Sequence, residues 1–214
     1  MKASEAVLSV IVAAATIVVI VGVSVVAFLN PIWVDFEQDR SGAGQLSGYA
    51  AADVHAVTNG VLSDLVVGPP AFAQEVGGSP VFNDRERAHL EDVRSVFFAF
   101  SVLVLLGVVA LVLARIAARG AAWYRRAVGF GAVALIVAVV IGAVVSLVAF
   151  DQAFEVFHEL FFAGGTYTFD PSTDRLVQLF PIQFWEETTL ALGVVLVVIS
   201  SVFAWWGLGR GADA

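Results

Sequence analysis

The chain has 214 residues, 59% of them hydrophobic, and a mean hydropathy of +0.90; a soluble domain would be nearer half apolar, so the excess points to a membrane protein. A formal net charge of -8 argues against nucleic acid as a partner, because neutralising phosphates needs clustered Lys and Arg. The absence of cysteine excludes disulfides, thiolate nucleophiles and thiolate metal sites.

Four segments are apolar over the ~20 residues that a bilayer crossing takes. The first is expected over about residues 6–29. Its apolar core is longer than that of a secretion signal, and no small-x-small cleavage pattern precedes Asn30-Pro31, so a retained anchor is expected. A segment over 30–95 follows. Within it a helix is predicted from Gln45 to Val67, with Leu46, Tyr49, Val54, Val57, Val61, Leu62 and Leu65 as packing residues. Gly68-Pro69-Pro70 ends that helix, and Gly77-Gly78 marks a turn in an irregular stretch reaching Pro80. Asn83, with Glu86 three positions on, reads as an N-cap and capping box. A helix starting there runs straight into the second span, about 96–118. A short arginine-bearing loop leads to the third, about 128–150. The segment over 151–189 then carries Gly164-Gly165, expected to break the helix. Two alternating stretches follow, Thr166–Phe169 and Arg175–Phe180, expected to pair as a hairpin across a turn at Asp170-Pro171. The fourth span is about 190–208.

The loop between spans two and three holds Arg115, Arg119, Arg125 and Arg126 and no acid; Lys2 precedes span one and Arg210 follows span four. The positive-inside rule places these in the cytoplasm, with both termini. The segments 30–95 and 151–189, which carry 17 of the 19 acids, then face outward. The expected architecture is a mainly α membrane protein. It is a single membrane domain over 1–214, a four-helix transmembrane bundle with a small extracytoplasmic α+β subdomain built from the two outer segments. The expected location is the plasma membrane. Ionisable groups are missing from the span interiors, which disfavours transport.

Two of the three histidines stand at matching heights. His89 lies seven residues before Val96, and His158 eight residues after Phe150. On helices rising 1.5 Å per residue, both rings reach headgroup level on helices joined by a short loop, where they can face one another. Arg85, Glu86 and Asp92 share a helical face with His89, as Asp151 and Glu155 do with His158. A carboxylate beside each ring can fix its tautomer, as a general base requires. The stretch FDQAFEVFHELFF, residues 150–162, surrounds His158 with Phe154, Phe157, Phe161 and Phe162. These rings suit either packing or a pocket wall. The same His, Asp and Glu set leaves a zinc site open, and an interfacial histidine beside Glu can also be a solvated helix end. His55, in DVHAV, is expected to be structural.

HLEDVRSVF at 89–97 and FDQAFEVFHELFFAGGTYTFDPSTDRLVQLFPIQFW at 150–185 resemble the four-span family that includes the bacterial lipoprotein intramolecular transacylase. The resemblance implies acyl transfer from the sn-2 ester of a lipoprotein's diacylglyceryl group to the α-amine of its N-terminal cysteine, at the outer surface and without a cofactor or metal. It implies catalytic roles for His89 and His158, one as base and one as acid. Asp92 and Glu155 would orient them, Glu86 would support them, and Arg85 or Arg87 would meet the oxyanion or the lipid. Phe154, Phe157, Phe161, Phe162 and Tyr167 would form the acyl pocket. The implied partners are membrane lipid and a lipid-modified lipoprotein, with no nucleic acid. The competing readings are a non-catalytic membrane scaffold or lipoprotein-handling protein, and a zinc-dependent membrane hydrolase. The oligomeric state is left open.

Overall fold

A computed structural model of the chain describes residues 3–162 and 166–209. In chain order the elements are α1 (Ala3–Phe28), α2 (Pro31–Ser41), α3 (Ala43–Ser47), α4 (Ala51–Val66), β1 (Glu75–Val76), β2 (Ser79–Pro80), α5 (Asp84–Ala118), α6 (Ala122–Phe161), α7 (Arg175–Leu179) and α8 (Ile182–Leu208). Among the described residues four helices are long and apolar enough to cross a membrane, running over Ser4–Phe28, Asp84–Ala118, Ala122–Phe161 and Ile182–Leu208. The protein is therefore mainly helical and membrane-integral, as expected. With 35 and 40 residues, α5 and α6 are ~50–60 Å long, well beyond the ~30 Å of hydrocarbon in a bilayer. The excess is the polar start of α5, Asp84 to Ser95, and the aromatic end of α6. Helix α6 breaks at Ala149 (φ -152°, ψ 45°), so its last turns, 150–161, form a separate arm. No proline or glycine sits at the break, which falls where aliphatic residues give way to Phe150 and Asp151.

The chain divides into two compact units. One comprises Met1–Val26, Ala99–Val145 and Ala191–Ala214. Its helices meet through small residues, which let backbones approach where no water drives association. A Cβ on Gly131 would stand 2.5 Å from the carbonyl oxygen of Ala13, and one on Gly207 would stand 2.6 Å from the Cα of Gly129. Around these contacts pack Val12, Ile20, Ala132, Leu135 and Leu196, all buried.

The other unit comprises Ala27–Phe98 and Ser146–Leu190. Helix α2 starts on Asn30, whose side chain accepts from the Trp33 amide at 3.1 Å, with Pro31 in the first turn. It is tied to the start of α8 by Arg40–Glu187 at 2.6 Å and by the Trp33 indole donating to Thr188 at 3.2 Å. The helix expected from Gln45 to Val67 is cut in two. Gly48 takes a left-handed φ of 71° and ends α3, and the chain re-enters α4 at Ala51. Tyr49, Val54, Val57, Val61 and Leu65 do pack as expected, in a core shared with Phe72, Val81, Phe82, Leu90, Leu176 and Leu179. Leu46 instead lies exposed, at 52%. Gln38 is buried at the centre; it donates to the Leu179 carbonyl at 2.9 Å and accepts from Thr58 at 3.0 Å.

The expected hairpin does not form. Arg175–Leu179 is helical, because Leu176 and Leu179, three residues apart, both turn inward on a helical period and are buried. Thr166 to Phe169 is irregular. The two-stranded sheet lies earlier, with β1 and β2 antiparallel around Gly77-Gly78. Positive φ at both glycines (60° and 77°) is the tight turn that glycine permits. The expected break at Gly164-Gly165 lies outside the described residues.

Candidate active site

The first half of the site is built on the N-terminus of α5. Asn83 and Glu86 close the predicted capping box: the Glu86 amide donates to Asn83 Oδ1 at 3.0 Å, and the Asn83 amide donates to Glu86 Oε2 at 2.8 Å. Glu86 is 1% exposed. Its other oxygen accepts from the Leu176 amide at 2.6 Å, so this carboxylate clamps α5 to α7. Arg85 pairs with Asp174 at 2.6 Å. Asp174, itself buried, also accepts from the Asn83 side chain at 3.1 Å and from the Asp170 amide at 2.7 Å. The Arg85 guanidinium stands 5.2 Å over the Phe169 ring. These bonds fold the chain after α6 back over the first turns of α5 and bring Phe169 within 5.4 Å of His89. Arg87 pairs with Asp84 on the surface.

The second half stands on the arm of α6. His158 and His89 are stacked, with ring centroids 6.0 Å apart and planes at 23°. The Nδ1 of His158 lies 2.7 Å from the Phe154 carbonyl oxygen. A carbonyl only accepts, so Nδ1 carries a proton, and in the neutral ring Nε2 is the nitrogen with the lone pair. Around His158 stand Phe154 at 4.3 Å, Phe157 at 5.4 Å, Phe162 at 5.5 Å and Tyr167 at 5.3 Å. Phe162 also meets His89 at 4.8 Å, and Phe161 packs on Phe157 at 4.9 Å. Of the aromatic residues expected in the pocket wall, Phe154, Phe157, Phe162 and Tyr167 meet the pair directly, and Phe161 meets only Phe157.

His89 lies outside the apolar run that begins at Val96, yet it is only 6% exposed. Burial pushes its pKa down to about 4, with the neighbouring His158 adding to the effect and Asp92 opposing it. The ring is therefore neutral. Its Nδ1 is sealed from water with no hydrogen-bond partner among the described residues.

The carboxylates expected to orient the rings behave otherwise. Among the described residues neither Asp92 nor Glu155 hydrogen-bonds to a histidine, and a backbone carbonyl orients His158 instead. Glu86 and Arg85 serve the scaffold of the site rather than the rings. Two contributors escaped the sequence reading, Phe169 and Asp174. Both sit in the F-D-P-x-x-D stretch, but only the fold shows that Asp174 reaches back to Asn83 and Arg85. His55 sits apart from the pair and bonds to Asp39 at 3.0 Å, a structural role. No group of three or more His, Cys, Asp or Glu among the described residues has metal-binding geometry.

The family profile described as lipoprotein intramolecular transacylase Lit matches residues 8–185. No curated protein matches at a significant level. The fold is similar to that of the membrane-integral lipoprotein intramolecular transacylase Lit from Bacillus cereus, with a TM-score of 0.82, 16% identity, and coverage of 95% of this chain and 94% of that one. Two structures of that protein carrying a histidine replaced by arginine or by alanine are also similar, each with a TM-score of 0.76 and 15% identity. They cover 94% and 95% of this chain, and 88% and 93% of theirs. With a profile match over most of its length and a shared architecture, the chain belongs to the lipoprotein intramolecular transacylase (Lit) family of integral membrane proteins.

Proposed function

We propose that this protein moves an ester-linked acyl chain onto the N-terminal amine of a lipoprotein at the outer face of the membrane. The observation that carries the proposal is the stacked His89–His158 pair inside an aromatic enclosure. His158 is the base. The substrate ammonium first gives one proton to water, and the free amine attacks the ester carbonyl carbon. As the new C–N bond forms, an N–H proton passes to the free Nε2 of His158. The tetrahedral oxyanion needs a donor. His89, neutral by burial, meets this need as a hydrogen-bond donor rather than as a cationic acid, and Nε2 is the nitrogen available because Nδ1 is sealed. The C–O bond to the glycerol oxygen then breaks, and the His158 imidazolium returns its proton to that oxygen. One ring thus serves as base and then acid, and the other stabilises charge.

No covalent intermediate is needed, because amine and ester belong to one substrate and the enzyme has only to orient them. Phe154, Phe157, Phe161, Phe162 and Tyr167 supply apolar surface for acyl chains beside the rings. The cytoplasmic arginine loop supports the outward orientation of the site. Mass spectrometry of lipoprotein N-termini from cells producing His89→Ala or His158→Ala tests the proposal. The expected result is loss of the N-acyl lyso form with the protein still present in the membrane. Unchanged lipoproteins in both variants would overturn it and leave a non-catalytic role in lipoprotein handling.

A further inference from the structure

An open groove of about 450 Å³ is lined by Pro70, Glu91, Arg94, Ser95 and Phe98. On a helix of 3.6 residues per turn, the four α5 residues fall on one face, roughly opposite His89. The groove therefore does not belong to the histidine site. It holds both signs of charge. Arg94 is half-buried and gives one guanidinium N–H to the Asp64 carbonyl. Among the described residues no carboxylate lies within 4.0 Å of it, so its other donors remain for an anion. Glu91 is exposed one helical turn away, ~5–6 Å between Cβ atoms. Below them Phe98 is 72% exposed. A cation, an anion one turn away and an exposed apolar ring beside them describe the seat of an amphiphile with a dipolar head.

We propose that this groove seats a zwitterionic phospholipid of the phosphatidylethanolamine class. Arg94 takes the phosphate and Glu91 the ammonium, whose two-carbon bridge spans one helical turn, while the acyl chains leave the groove past Phe98. The guanidinium fork suits phosphate, and the opposed carboxylate selects against lipids whose head is purely anionic. The seat rests on membrane insertion alone and is independent of acyl transfer.

The test is native mass spectrometry of the full-length protein, delipidated in detergent and titrated with micelles of phosphatidylethanolamine or phosphatidylglycerol. The wild type should retain one phosphatidylethanolamine about tenfold more tightly than phosphatidylglycerol, a difference of ~1.4 kcal/mol. Arg94→Gln should weaken both lipids, and Glu91→Gln should abolish the preference without weakening phosphatidylglycerol. Glu91 is exposed, so its variant keeps the test decisive even if Arg94→Gln unfolds. Equal retention of the two lipids by the wild type, or an unchanged preference in Glu91→Gln, would overturn the proposal. Displacement of the lipid by free phosphoethanolamine at equal concentration would also overturn it, by assigning the groove to a soluble phosphate compound.

Discussion

Replacing Glu86 by glutamine changes neither size nor shape, yet it should loosen the whole scaffold of the histidine site. Both carboxylate oxygens accept from backbone amides, Asn83 at 2.8 Å and Leu176 at 2.6 Å, in a setting 1% exposed. A glutamine can present its carbonyl oxygen to only one of them. Its NH₂ must then face the other amide, donor against donor, away from water. One lost charge-assisted bond and one unsatisfied buried donor together cost about 2–3 kcal/mol. Glu86→Ala loses both bonds and leaves a void, and should cost about 4 kcal/mol or more. Thermal unfolding of the purified protein in detergent reads this difference; for a chain of this length ~2–4 °C of melting temperature corresponds to each kcal/mol. Glu86→Gln should therefore melt roughly 4–12 °C lower, with Glu86→Ala lower still. A Glu86→Gln variant within about 0.5 kcal/mol of the wild type, the range of an uninvolved surface site, would refute the clamp between α5 and α7. So would two variants that melt together.

Glu37 gives a dependence on pH. It is buried, and that burial, with the hydrogen bond and charge of Glu187, raises its pKa from 4.5 to about 7. The folded state binds the proton more tightly than the unfolded chain does, so this contribution is complete below pH 4.5 and is lost as pH rises through 7. Glu37→Gln should flatten stability over that window and melt higher than the wild type at pH 8, as measured by melting temperature against pH. Glycines of α6 should divide sharply. Gly131→Ala puts a methyl 2.5 Å from the Ala13 carbonyl oxygen and should cost about 1–3 kcal/mol. Gly142→Ala meets nothing within 4 Å and should be neutral or stabilise by about 0.5–1 kcal/mol. Unfolding in detergent checks both, and equal shifts would contradict the close approach of α1 and α6.

Long-range order was legible where one physical signal dominates. Uninterrupted aliphatic runs marked the four spans, and Asn83 with Glu86 announced the start of α5 three residues at a time. Near-equal distances of His89 and His158 from their apolar runs, seven and eight residues, set the two rings at one height, because a helix converts residue count into height. The misses have a common cause. Gly48 divides α3 from α4, and nothing in the surrounding periodicity distinguishes that glycine from Gly60, which α4 tolerates. RLVQL alternates well enough for a strand, and only the core around Leu176 and Leu179 decides for a helix. Asp92 and Glu155 were drawn toward the rings by helical spacing, which fixes a shared face but not a rotamer. The bonds of Asp174 to Asn83 and Arg85 join residues about ninety positions apart, and no local pattern carries such information.

The two imidazoles hang from consecutive helices, α5 and the arm that ends α6, and meet with their ring centroids 6.0 Å apart. Adding one residue to the arm between the break at Ala149 and His158 would swing that ring by ~100° and lift it by 1.5 Å, and the stack would part. Arm length and ring alignment are thus fixed together. The arm can therefore lengthen only by whole turns if the pair is to keep its stack.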